Sequence, residues 1–352
     1  MNKEKDFTID ENGIITEYTG SDGDVTIPAE IDGIAVCAIG EKVFENKGIY
    51  KIEIPLSVEA IGAYAFYENR LSSVVIPASV KKIGEYAFAG NNLCSVVIPQ
   101  SVKKIGNNAF AENWIDEIVI PEGVTEIGEA SFYKNELKTV KLPSSLKEIG
   151  ADAFWENQLT EIVIPQSVKK IDRHAFYDNQ LKKIAIPASI KELSGFAENQ
   201  LKSIVIPFGA EKIGESAFSH NKLSSIEIPS SIAEIGNYAF CGNTLSSVVI
   251  PQSVKKIGYY AFSENRLTKV VIPDKVTIHR DAFENNLITE ITIGHNVLFN
   301  DEIYHIYGKD YYNKDVVYSC FAFGFDDFYD GNDRKAGTYI YDDETKKWSV
   351  KK

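Results

Sequence analysis

Five histidines, four cysteines and an acidic run near the C-terminus are the side chains best equipped to do chemistry in this sequence. His174, His220, His279, His295 and His305 fall in no HExxH motif and in no Cys/His cluster that would hold zinc. The first three occupy positions of solvent-facing type and are expected at the surface. Cys37, Cys94, Cys241 and Cys320 are far apart with no CxxC spacing, so neither structural zinc nor paired thiols are indicated. There is no GxSxG elbow to expose a serine, and no cysteine has an evident activating neighbour. Glycines come singly, not as a phosphate-cradling loop. A triad that converges only in space leaves no such signature, so these exclusions concern local motifs. The run Asp326-Asp327-Phe328-Tyr329-Asp330-Gly331-Asn332-Asp333 lacks the DxDxDG spacing and distal Glu of a calcium loop and reads as a polar turn. No catalytic residue, metal or cofactor is expected.

Bulk properties narrow the class further. The net charge of −13 opposes nucleic-acid binding, which depends on Lys and Arg, and opposes adhesion to anionic lipid. The doublets Lys81-Lys82, Lys103-Lys104, Lys169-Lys170 and Lys255-Lys256 alternate with Thr125-Glu126, Lys147-Glu148 and Ala233-Glu234 at one recurring position, which makes a mixed solvated face. No window reaches 18 apolar residues, so no membrane insertion is expected. The start MNKEKDFTID lacks a secretory apolar stretch, which fits a cytosolic product or one whose leader was removed.

What must position these residues is a repeat. All 12 prolines lie in it: after Pro28 they fall at 55, 77, 99, 121, 143, 165 and 187 in steps of 22, then at 207, 229, 251 and 273. Phenylalanine keeps the same beat from Phe44 to Phe283, and an asparagine follows three residues later from Asn69 to Asn286. The unit is N-x-L-x-x-I/V-x-I-P-x-S-V-K-K-I-G-x-x-A-F-x-E. In LCSVVIP, Val96 and Ile98 alternate as a strand requires, and Pro99 ends it because it has no N–H to donate. Val102 and Ile105 return to the core, Gly106 is expected at a turn of positive φ, and Phe110 fills the middle. Asn113 is placed to hydrogen-bond the backbone of adjacent coils. A unit this short cannot bury its own apolar face and must stack on its neighbours.

The L-x-x-I-x-I-P-x-S-V-x-x-I-G-x-x-A-F pattern resembles the leucine-rich repeats of the BspA type, or treponemal class, over about residues 25–294. The resemblance implies a mainly β leucine-rich-repeat solenoid, a right-handed horseshoe with a parallel sheet on its concave side and short strands or turns on its convex side. It also implies a bacterial, secreted or cell-surface protein, adhesion to host or extracellular proteins, and no catalytic residues.

Three domains are expected: an N-terminal cap (1–27), a solenoid of about 12 coils (28–294) and an aromatic-rich β module (295–352). The cap reads as a hairpin turning at Asn12-Gly13. The module, rich in Tyr and Phe, reads as strand, turn, strand, turn, strand, with turns near Gly331 and Asp342–Glu344. Within the array, Ile31–Cys37 adds five residues to the first coil, and KELSGFAENQ removes two near Gly195, a neutral slip on the outer face or else a hinge or a specialised recognition spot.

The outward position of each strand, two residues before the proline, carries Val75, Val97, Val119, Lys141, Val163, Ala185, Val205, Glu227, Val249 and Val271, between Glu53 and Thr292 at the ends. Beside it runs a row of Ser73, Ser95, Glu117, Thr139, Glu161, Lys183, Ser203, Ser225, Ser247 and Lys269. Valine suits any pleated surface. So long a row also makes an apolar stripe of the kind that marks a partner site. The expected function is non-enzymatic binding of a protein or peptide on this stripe, with self-association open to it as well. The alternative is a structural spacer with recognition in the C-terminal module.

Overall fold

A computed structural model describes residues 4–300 and 325–351. His305, Cys320, Phe321 and Phe323 lie outside the described residues. The chain divides into two compact units, residues 1–187 and 188–352, and the division falls at the proline opening the shortened coil. Each unit is a solenoid of stacked parallel strands, mainly β.

In the first unit the continuous sheet is not the one before the prolines. It is built from two-residue strands at the K-K-I-G position. Ala38–Ile39, Ala60–Ile61, Lys82–Ile83, Lys104–Ile105, Glu126–Ile127, Glu148–Ile149 and Lys170–Ile171 pair in parallel, each with its counterpart one coil on. The hairpin expected at the N-terminus closes the end of this sheet. Phe7–Ile9 pairs antiparallel with Ile14–Tyr18, which pairs in parallel with Ala38–Ile39, and the Gly13 N–H donates to the Asp10 carbonyl at 3.1 Å across the turn. The strand Asp24–Thr26 belongs instead to the first coil, in register with Lys51–Glu53. The strands before the prolines pair only in places. Lys51–Glu53 pairs with Asp24–Thr26, Val75 bridges Val97, and Glu117–Val119 pairs with Thr139–Lys141.

A further ladder lies around each phenylalanine, where no strand is formed. The N–H groups of Tyr64, Phe66 and Glu68 donate to the carbonyls of Glu85, Ala87 and Ala89 in the next coil, at 2.7, 2.8 and 3.0 Å. Alternate N–H groups therefore point along the stack, which the backbone achieves by turning left-handed on either side of the ring: Tyr64 has φ 56° and Glu68 φ 51°. The same pair of positions is left-handed around Phe110 (Asn108 and Glu112) and Phe132 (Ala130 and Lys134). The repeat glycine does not supply this conformation, contrary to expectation; Gly106 is not at positive φ. It is glycine because the coils touch there: a Cβ on Gly106 would lie 2.5 Å from the Gly84 carbonyl carbon and 2.6 Å from the Glu85 nitrogen.

The core is laminated. Phe44, Phe66, Phe88, Phe110, Phe132, Phe154 and Phe176 are fully buried and stack ring on ring, with centroids 5.1 to 5.6 Å apart. Each Asn ties neighbouring coils together. Asn113 Nδ2 donates to the Phe88 carbonyl of the preceding coil at 2.9 Å and to its own coil's Phe110 carbonyl at 3.2 Å. Its Oδ1 accepts from the Leu93 N–H at 3.0 Å. Polar groups buried this deeply must be paired, and the Asn side chain satisfies backbone groups that no strand reaches.

The second unit repeats the scheme, from Glu192–Leu193 through Lys212–Ile213, Glu234–Ile235, Lys256–Ile257 and Thr277–His279 to Leu298–Asn300. Phe196, Phe218, Phe240, Phe262 and Phe283 stack at 5.1 to 5.8 Å. The C-terminal segment departs from expectation at its start: Phe325–Gly331 is a helix, not a strand followed by a polar turn at Gly331. One face of the segment is apolar at helical spacing, with Phe325 and Tyr329 buried. Asp326, buried, pairs with Arg280, and the Tyr329 hydroxyl donates to the Gly294 carbonyl at 2.6 Å. The hairpin Gly337–Asp342 and Lys347–Val350 then adds antiparallel to Glu290–Ile293, with its turn where the sequence places it. Gly331 closes the helix.

Candidate interaction face

The position two residues before each proline faces outward in both units. In the first, Val75, Val97 and Val163 are 81 to 83% exposed and Val119 is 56% exposed; Lys141 and Ala185 are exposed beside them. Their strand neighbours Val74, Ile76, Val96 and Ile98 are buried, so the alternation is that of a strand with one face in the core. Val75 and Val97 are direct cross-coil partners, as are Val119 and Lys141. Val75 and Val97 thus sit one strand spacing apart, about 4.8 Å, and form a joint apolar surface, which Lys141 interrupts further along the row. In the second unit Val205 is 82% exposed, Glu227 is exposed, and Val249 and Val271 are exposed partners in the sheet that ends on the C-terminal hairpin. Thr292, next in that register, is half-buried, and its hydroxyl lies 3.0 Å from that of Thr338.

Some charges beside these positions are paired, while Lys141 and Glu227 in the outward row form no ion pair among the described residues. Lys51 reaches Asp24 and Glu53 at 3.3 Å, Lys183 reaches Glu161 at 3.4 Å, and Lys269 reaches Glu290 at 3.6 Å. Lys351 lies 3.0 Å from Glu290, and this hydrogen bond chiefly holds the Glu290 carboxyl below the usual carboxylate range. Such exposed pairs add little stability. Sequence reasoning missed Trp114 and Tyr50, which are 57 and 58% exposed. Both stand at polar positions of the repeat, and that departure was the available signal.

The titratable groups are scattered. His220 and His295 are exposed, and His174 lies 3.4 Å from Asp152 among Trp155 and Tyr177. His279 departs from the expected surface placement: its side chain is only 10% exposed, edge-on to Tyr259, with Nδ1 accepting from the Asp281 N–H. Cys241 is buried, and burial pushes its thiol up to about 12, the opposite of an activated nucleophile. Among the described residues no three His, Cys, Asp or Glu side chains converge as metal ligands, and no helix is long and apolar enough to cross a membrane.

Comparison with known proteins agrees with this geometry. The BspA type leucine rich repeat region matches in six copies, over residues 37–159, 103–197 and 192–305. A search of curated proteins gave no match. Among solved structures, a leucine-rich repeat protein from Bacteroides ovatus superposes with a TM-score of 0.57 at 24% identity, covering 83% of this chain and 88% of that one. A leucine rich cell surface protein from Faecalibacterium prausnitzii gives 0.51 at 26% identity, covering 83% and 92%. The pneumococcal vaccine antigen PcpA gives 0.56 at 22% identity, covering 83% and 87%.

Proposed function

The chain belongs to the BspA-type leucine-rich-repeat proteins, and from that premise we propose that it is a non-enzymatic binding protein that takes a protein or peptide partner on the valine-bearing strand face. Leucine-rich-repeat proteins generally bind protein partners and are typically non-catalytic. The observation that carries the reading is the exposure of Val75, Val97, Val119 and Val163 on the outward positions of their strands. Apolar side chains at full exposure contribute nothing to folding, whereas covering them gives about 25 cal/mol per Å² of apolar surface. A face of this kind has the flat, β-branched texture that an extended peptide or a second protein surface can cover. A place at the bacterial cell surface is supported by the description of the Faecalibacterium relative as a cell surface protein, and adhesion is the role a binding protein would serve there.

The test is selection of peptides from a displayed random library on the folded chain, followed by binding to Val119→Lys and Val163→Lys variants. Loss of binding in both, with the unfolding midpoint unchanged, is the expected outcome. Retained binding would remove the strand face from consideration, and loss on deletion of residues 325–351 alone would move recognition to the C-terminal module.

A further inference from the structure

A second surface of the first unit has a different chemistry. Around Phe66 and Phe88, on the side of the coils where no strands form, Tyr64, Tyr67 and Tyr86 come together half-buried. Tyr64 and Tyr86 stack with centroids 4.8 Å apart, and Tyr67 meets them edge-on at 5.5 and 5.8 Å. A cation already sits on this cluster: the Lys42 Nζ lies over the Tyr64 ring, 5.3 Å from its centroid. That is the range in which a ring's quadrupole attracts an ammonium or guanidinium. The surroundings are anionic. Burial chiefly raises the Tyr64 and Tyr86 phenols, with Glu85, Glu45 and Glu41 adding to it at Tyr64 and Glu85, Glu129 and Glu112 at Tyr86; the hydrogen bond to Glu68 chiefly raises Tyr67, with Glu112 adding to it. Among the described residues none of these carboxylates forms an ion pair, whereas on the strand face Glu53, Asp116 and Glu161 each have a lysine within 4.0 Å.

We propose that the Tyr64–Tyr67–Tyr86 cluster and its unpaired glutamates form a docking surface for an arginine- or lysine-rich peptide segment of a partner. The rings supply cation–π seats, Lys42 occupies one of them from within the chain, and the carboxylates supply charge complementarity. The carboxylates do not converge as metal ligands, so the complementary cation is one carried on side chains. This surface is distinct from the valine face, so the two stand or fall separately.

Fluorescence anisotropy of a labelled Arg-Gly repeat peptide titrated with the full chain tests it, with a Gln-Gly peptide as control. The arginine peptide is expected to bind and the glutamine peptide not. Tyr86→Leu, which keeps apolar bulk and removes the quadrupole, should weaken binding roughly three- to fivefold. Lys42→Met should tighten it by freeing the Tyr64 face, and Val119→Ser on the strand face should leave it unchanged. Equal binding of the two peptides overturns the proposal, as does displacement of the arginine peptide by calcium ions at constant ionic strength. Indifference to both Tyr86→Leu and Lys42→Met leaves only diffuse attraction to an acidic chain and also overturns it. If Tyr86→Leu does not fold, Lys42→Met carries the test alone, and unchanged or weaker binding is then the contradicting result.

Discussion

The two sides of a coil use opposite strategies with the same 22 residues. Around each phenylalanine much of the backbone is committed to coil-to-coil hydrogen bonds. Ring stacks on ring, the Phe110 carbonyl accepts from two successive Asn side chains, and alternate N–H groups reach the next coil. Before each proline the strands pair only here and there, their outward side chains stand free in water, and exposed Lys–Glu pairs balance one another. The first side holds the array together through its backbone and leaves only partly exposed side chains such as Tyr64 and Tyr86 at its surface. The second is lightly constrained and carries the most exposed apolar side chains. The lesson is that in a solenoid of this type the best-formed structure and the best-exposed apolar surface belong to different parts of the repeat.

The largest effect that would break this contrast is expected from Phe132→Ala, which opens a cavity between Phe110 and Phe154 and should cost roughly 3–5 kcal/mol in chemical denaturation. Asn135→Ala comes next. It strands the Ile115 N–H and removes one of the two amides on the Phe110 carbonyl, for a loss of about 2–3 kcal/mol. Thiol chemistry sharpens the comparison without mutation. Cys241 follows a core phenylalanine and is buried, whereas Cys94 stands exposed on the strand side. Labelling at neutral pH should modify Cys94 and spare Cys241 until the chain unfolds. Because burial raises the Cys241 thiol to about 12, its protonated form is favoured by folding. That contribution is complete below the unfolded thiol's ordinary value and is lost as pH rises through about 12. The smallest effect belongs to the strand face: Val163→Lys should change stability by no more than about 0.5 kcal/mol, because the residue it replaces is already in water.

Much of this was legible in the sequence. The 22-residue beat announces the coils, the alternation in SVVIP marks which valines face out, and the Asn three residues after each Phe signals a cross-coil bridge. Three features were not. The repeat glycine looks like a turn residue, but its role is close approach of one backbone to the next, while the left-handed turns fall on residues such as Tyr64, Asn108 and Glu112. Left-handed backbone is unfavourable for such residues in isolation, so only the coil-to-coil hydrogen bonds at Tyr64, Phe66 and Glu68 can explain it, and those lie outside any one repeat. The continuous sheet at K-K-I-G was hidden by its brevity, since two-residue strands carry almost no periodicity. The Phe325–Gly331 helix was hidden because its partners, Arg280 and the Gly294 carbonyl, lie about two coils back in sequence. The binding role proposed for the valine row has no counterpart in packing at all, which is why sequence could nominate it only through its outward place in the strand alternation.

The central claim, that the valine face is dispensable to the fold and reserved for a partner, is tested most directly by one double variant, Val119→Lys with Val163→Lys. Its affinity for a peptide selected on the unaltered chain is measured by titration, and its unfolding midpoint is recorded on the same sample. The account predicts an unchanged midpoint and binding reduced at least tenfold, as expected when a buried apolar contact is replaced by charge. An unchanged affinity, or a midpoint that falls together with the affinity, would contradict it.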